Sequence, residues 1–173
     1  MSADLDVQKL ADSAYGLEKL LELEQVYLKH FDAKVGFELG LKAKELVEKL
    51  YPEASAAIDV AYITGTTVFR GVIGNIQEAN EYYIGVKKQA VKTHGNSSWY
   101  FWERNHALNR VRDGRSTTGE PLVLAGGSVP IRIEGAPDFV LATITISGLK
   151  NHEDHYLSLS ALKAIAEQQQ QEK

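Results

Sequence analysis

The stretch TITISGLKNHEDH, Thr143 to His155, decides the fold. Its first five residues alternate isoleucine with threonine or serine, the period-two pattern of a strand with one apolar and one polar face. Ser147-Gly148 then reads as a turn, followed by a helix start carrying Glu153 and Asp154. Unpaired N–H groups at a helix start carry partial positive charge, so both carboxylates are well placed there. His155 follows directly, and two neighbouring carboxylates favour its protonated form. These residues admit two readings: a well-capped helix start with a surface histidine, or a charged cluster able to do chemistry at a strand-to-helix corner.

Downstream, Leu157, Leu159, Leu162 and Ile165 give the last helix a buried face, and Gln168 to Lys173 read as a polar tail that frays. The expected division is one domain over 1–167 and a tail over 168–173. Upstream, a GAPD turn precedes the strand Phe139 to Ser147, and Leu122 to Ile133 hold a Gly126-Gly127-Ser128 break before a strand with Ile131 and Ile133 on one side. Paired glycines allow a close backbone approach, either for a ligand or as a bulge. Ala56 to Ile63 and ThrThrValPheArg flank Gly65 as a hairpin. Ile58, Val60 and Tyr62 share one face of its first strand, leaving Asp59 on the other, where it is expected to meet water or a nearby backbone group.

The N-terminal part reads as helical. Leu10, Ala14, Leu17, Leu21 and Leu28 fall on one face, and Gly16 is a break point. ValTyrLeuLysHisPhe, Val26 to Phe31, reads as a short edge strand. Asp32 is the expected N-cap of a helix burying Val35, Leu39, Ala43, Leu46, Val47 and Leu50 and ending by Pro52. A loop over Gly71 to Glu78 leads to a helix near Asn80 to Thr93, with Ile84, Val91 and the tyrosines on its apolar face and Lys87 and Lys88 beside them. Gly95, Asn96, Ser97 and Ser98 then form either a turn or an anion-binding nest, before Trp99, Tyr100, Phe101 and Trp102. Four large aromatics cannot share one helix face, so at least one is expected to touch a partner subunit or a ligand. Arg104, Arg110, Arg112 and Arg115 read as an exposed basic loop.

Composition bounds the class. The chain has 173 residues, 44% hydrophobic and 24% charged, which suits one globular domain with a proper core. It has no cysteine, which removes disulfides, thiol nucleophiles and thiolate metal sites and fits a reducing compartment. The first residues resemble neither a signal nor a transit segment, and no apolar run approaches the roughly 20 residues of a membrane span, so the expected address is the cytoplasm. A formal charge of −4 offers no general attraction to nucleic acid or anionic membrane. No phosphate-binding glycine loop pattern is present.

Taken together, AlaIleAsp at 57–59, Asn80 with Ile84 and Lys87, GlyAsnSerSer at 95–98, GlyGlySerValProIle at 126–131, and IleSerGlyLeu running to GluAspHis resemble the heme-degrading-domain (GlcG/HbpS-like) superfamily. The nearest branch is uncharacterised protein family 0303, and the resemblance spans roughly Leu20 to Ala166. It implies an α/β (α+β) sandwich, with a sheet of about five mostly antiparallel strands flanked by helices, and dimers that assemble into larger rings or stacks. The residues matching family positions are Lys87, Ser97, Ser98, Gly126, Gly127, Ser128, Asp154 and His155, which the resemblance places around a shared pocket. Two family histidines are replaced, by Asn96 and Ala125, which weakens any inference to heme. His152 and His155, at i and i+3, would hold a metal only with a third ligand from elsewhere.

Three function classes follow. The first is an oligomeric small-molecule-binding or accessory protein in which Ser97, Ser98, Gly126, Gly127, Ser128 and Asp154 shape the pocket. The second is a cofactor-independent enzyme on a small anionic or carbonyl substrate, with Lys87 or the Gly126 to Ser128 backbone holding an oxyanion and His155 moving a proton. The third is heme binding or degradation. No metal is expected.

Overall fold

The computed structural model describes residues 5–112, 115–116 and 125–172. Two short helices, α1 (Val7–Ala11) and α2 (Gly16–Leu23), lead into the two-residue strand β1 (Tyr27–Leu28) and the long helix α3 (Ala33–Leu50). The hairpin of β2 (Ala56–Tyr62) and β3 (Thr67–Ile73) follows, then α4 (Glu78–His94) and α5 (Ser98–Ala107). A small ribbon of β4 (Val111–Arg112) and β5 (Arg115–Ser116) precedes β6 (Ser128–Ile133), β7 (Ala142–Ser147) and α6 (Asn151–Gln171). The main sheet runs β1-β6-β7-β2-β3, antiparallel except where β1 pairs parallel with β6. The expected fold class is therefore the observed one.

The alternation in TITIS explains the layering. Ile144 and Ile146 join Ile58, Val60, Val129 and Ile131 on one sheet face, where they pack against Val35, Leu39, Ala43 and Val47 of α3 and Leu157, Leu162 and Ile165 of α6. The opposite face carries small or polar side chains: Ala57, Asp59, Ser128, Thr143, Thr145 and Ser147, all buried. α4 covers that face, and its approach needs small residues beneath it. The loop between α2 and α3 forms the expected strand β1, Asp32 caps α3 by accepting from Val35 N at 2.9 Å, and α3 ends before Pro52.

Several expectations shift. Asp59 meets neither water nor a backbone group. It is 2% exposed and pairs with Arg70 Nη1 at 3.1 Å and Lys88 Nζ at 2.9 Å, because α4 covers its face of the sheet. Gly16 does divide the N-terminal helix, but the buried leucines there are Leu10, Leu20 and Leu23, while Ala14 is exposed and Leu17 and Leu21 are half-buried. The break re-aims the second segment, so one stripe cannot run through both. Leu50 on α3 is exposed rather than buried. Tyr82 and Tyr83 face outward on α4, β3 continues through Gly71 to Ile73, and β7 begins at Ala142, leaving Phe139 exposed. Residues 168–171 stay helical. Gln169, 4% exposed, accepts from Lys29 N at 2.8 Å and donates to the His30 carbonyl at 3.1 Å, so that end of the chain is docked rather than frayed. Arg104 lies on α5, and Leu122 to Leu124 and most of the loop after Arg112 fall outside the described residues.

Candidate functional site

Four segments meet where β7 hands over to α6. Lys87 on α4 points onto the polar sheet face, 2% exposed, and donates to the Ile146 carbonyl at 2.9 Å and to Asp154 Oδ2 at 2.8 Å. Asp154, 1% exposed in the first turn of α6, also accepts from the N–H of Leu149 at 3.1 Å and of Gly148 at 3.4 Å. The turn thus wraps its backbone donors around one carboxylate, which holds the buried ammonium. Burial lowers Lys87 below the usual lysine range and raises Asp154, and each partner's charge opposes the other's shift. Glu153, as expected, caps the helix, accepting from Lys150 N at 3.0 Å.

Gly127 explains the diglycine. Its φ of 132° is one few other residues adopt, and a Cβ there would lie 2.4 Å from the Ile146 carbonyl oxygen and 2.9 Å from Lys87 Nζ. A side chain at Gly126 would meet the Asn151 carbonyl oxygen and the Trp99 ring, each at 2.7 Å. The Gly126-Gly127 segment therefore lets the ion pair and the β7 end close together, and Ser158 Oγ of α6 donates to the Gly127 carbonyl at 2.7 Å.

The serines are buried in the framework. Ser128 N donates to Ser98 Oγ at 3.0 Å, and Ser128 Oγ lies 2.8 Å from Thr145 Oγ1. Ser97 caps α5, accepting from Tyr100 N, and donates to Glu24 Oε1 at 2.6 Å. Trp99 and Phe101 are buried, Trp102 stacks on Trp99 at 4.7 Å, and Tyr100 is half-buried.

His155 is not a surface histidine. It is fully buried, 6.1 Å from the Trp99 ring, and its Nε2 lies 3.4 Å from Glu24 Oε1. Among the described residues neither ring nitrogen has a hydrogen-bond partner. Burial lowers its pKa to about 3 instead of raising it, because the carboxylates beside it in sequence face elsewhere on the helix. Glu24, also driven by burial, is raised to about 7. With Glu24 ionised only above about pH 7 and His155 protonated only below about 3, the contact between them is not an ion pair.

A cleft of about 250 Å³ opens over the ion pair. Lys87, Asp154, Gly148, Asn80, Ser147 and Ala125 are among its lining residues. Ser97, Ser98, Gly126, Gly127, Ser128 and His155 are not, so the structure separates residues that the family resemblance grouped. Ala125 lines this cleft, whereas Asn96 lines a different one. Glu24 escaped the sequence reading. Its only signal is a carboxylate at the end of an apolar helix face.

Residues 31–163 match the family model described as haem degrading protein HbpS-like. The chain is similar to UPF0303 protein YBR137W of Saccharomyces cerevisiae, at 30% identity over 175 residues covering 96% of this chain and 93% of the relative. The crystal structure of the Ybr137w protein superposes with a TM-score of 0.81 at 29% identity, covering 97% of each chain. A PduOC:heme complex shares the fold, with a TM-score of 0.56 and 15% identity over 73% of this chain and 88% of the other. With the match spanning most of its length, and the sheet and helix order agreeing, this chain belongs to the HbpS-like family and to its UPF0303 branch.

Proposed function

We propose that this is a cytoplasmic, homo-oligomeric protein that binds a small polar molecule in the cleft over Lys87 and Asp154. The observation that carries the reading is the buried pair itself. Removing two charges from water costs several kcal/mol per ion before their attraction returns any of it, and here the pair forms the floor of a cleft rather than a closed core. Asn80, Ser147 and the Gly148 turn add polar groups around it. Among the described residues no helix is long and apolar enough to cross a membrane.

The test is mass spectrometry of small molecules released on denaturing protein purified from its own source. Wild type should release a polar metabolite that Lys87→Met does not. Because a lone buried carboxylate can unsettle folding, the paired variant Lys87→Met with Asp154→Leu serves as a second arm and should also come out empty. Equal release from wild type and both folded variants excludes this cleft.

A second reading, catalysis on a carbonyl substrate, is favoured by the place of Lys87 in the cleft lining, where burial lowers its pKa against the opposing charge of Asp154 and so raises the share of neutral amine able to add to a carbonyl. Pyruvate and borohydride should then leave a covalent mass increment on Lys87. Wild-type protein left unmodified at saturating pyruvate counts against it.

Heme is the cofactor that the family description implies. The residues described at this cleft do not fit it: the lining holds no histidine, methionine or cysteine, its one tyrosine, Tyr83, stands 44% exposed and edge-on to Tyr82, and His155 is enclosed. No step here runs through heme.

A further inference from the structure

A second cavity, of about 290 Å³, lies between the end of α2, β1, the turn before α5, β6 and the loop after it. It shares no lining residue with the Lys87 cleft. Its polar lining includes Glu24, Tyr27, Asn96, Arg132 and Asp138, and Leu21 and Pro137 add apolar surface. One of the two positions at which this chain departs from its family pattern, Asn96, therefore belongs to this cavity.

The charges in the lining select among ligands. Arg132 brings one guanidinium, a planar fork of five N–H donors, of which one N–H donates to the Gly95 carbonyl. Asp138 brings an exposed carboxylate, and Glu24 a buried one already held by Ser97 Oγ at 2.6 Å. A simple anion would bind the fork but face Asp138; a simple cation would bind Asp138 but face the guanidinium. Only a molecule carrying both signs finds a partner for each. The volume limits it to a compact one.

We infer that this cavity binds a small zwitterion of the α-amino acid class, its carboxylate on the Arg132 fork and its ammonium on the side of Asp138 and Glu24. Arginine is the side chain suited to a two-point grip on a carboxylate. Leu21 and Pro137 are placed to receive a short side chain. The elevated pKa of Glu24, at about 7, lets that group hold or release a proton near neutrality as the ammonium arrives. This site is independent of the Lys87 cleft and stands or falls separately from it.

Isothermal titration with glycine, alanine, serine and threonine, against acetate and methylamine, tests it. At least one amino acid should saturate one site per chain, with acetate and methylamine binding at least about 10-fold more weakly, the loss of about one tenfold step per missing charge. Arg132→Lys should weaken the amino acid by a similar factor. Because Arg132 also holds Gly95, the exposed change Asp138→Asn is the deciding arm, and it should weaken amino acids while leaving acetate unchanged or tighter. Acetate binding as well as any amino acid, no saturable binding by any of the four amino acids, or amino acid affinity unmoved by Asp138→Asn, would each overturn the inference.

Discussion

Glu24 and His155 are driven toward their neutral forms by the same burial, and the two shifts act on stability in opposite directions. Glu24, raised from 4.5 to about 7, keeps a proton in the folded state that the unfolded chain releases at lower pH. Its contribution is whole below pH 4.5 and is lost as pH rises through about 7. His155, lowered from 6.5 to about 3, stays neutral in the folded state while the unfolded chain takes up a proton. Its contribution is whole above pH 6.5 and is lost as pH falls toward 3. Between 4.5 and 6.5 the two slopes oppose and cancel, so stability should hold level there, fall as pH drops below 4.5, and fall by less than about 1 kcal/mol between 6.5 and about 7 before levelling off, each group's own contribution being on the order of a few kcal/mol. Glu24→Gln keeps an acceptor for Ser97 and removes the titration. Urea midpoints measured from pH 4 to 8 should be level between 4.5 and 6.5 in wild type and should rise with pH across that window in Glu24→Gln, where the histidine slope is left unopposed. A variant that stays level across that window would remove Glu24 as the opposing group.

At the scale of elements, what was legible followed from periodicity and local caps. TITIS announced both the strand and its two unlike faces, Gly65 the hairpin, Asp32 the start of α3 and Ser147-Gly148 the turn into α6. Two site residues, Lys87 and Asp154, were named from the sequence, and they meet although 67 positions separate them. What remained hidden was tertiary. Nothing near Asp59 in sequence announces that α4 will bury it, and nothing near His155 announces Glu24, which arrives from α2. The glutamine run shows the same limit. Four glutamines read as a polar tail, yet Gln169 presents an amide that is donor and acceptor at once, the pair of functions that the backbone at Lys29 and His30 requires beside β1. A carboxylate or an ammonium there could satisfy only one of them.

For the molecule as a whole, that contact separates the two sheet edges. β1 is only two residues long and its flank is covered by the end of α6, so it offers little to a partner. β3 is seven residues long and is the other terminal strand of the sheet. A charged side chain commonly guards such an edge, but Arg70, at its centre, is held by Asp59 and Glu81. Beside it, Phe37 and Leu41 stand one helical turn apart on α3, 51% and 47% exposed, with Phe37 edge-on to Phe69 of β3, while Val72 is 48% exposed. A long strand whose outer edge pairs with no strand among the described residues, flanked by exposed apolar groups, is the surface on which the proposed homo-oligomer would be built, because pairing satisfies its backbone and removes the patch from water in one step. Light scattering after gel filtration should then give a multiple of 19.1 kDa for wild type and a smaller mass for Phe37→Glu with Leu41→Glu, with circular dichroism unchanged because neither side chain is buried. A wild-type mass of 19.1 kDa would remove the oligomer, and an undiminished mass in the double variant would move the interface off this edge.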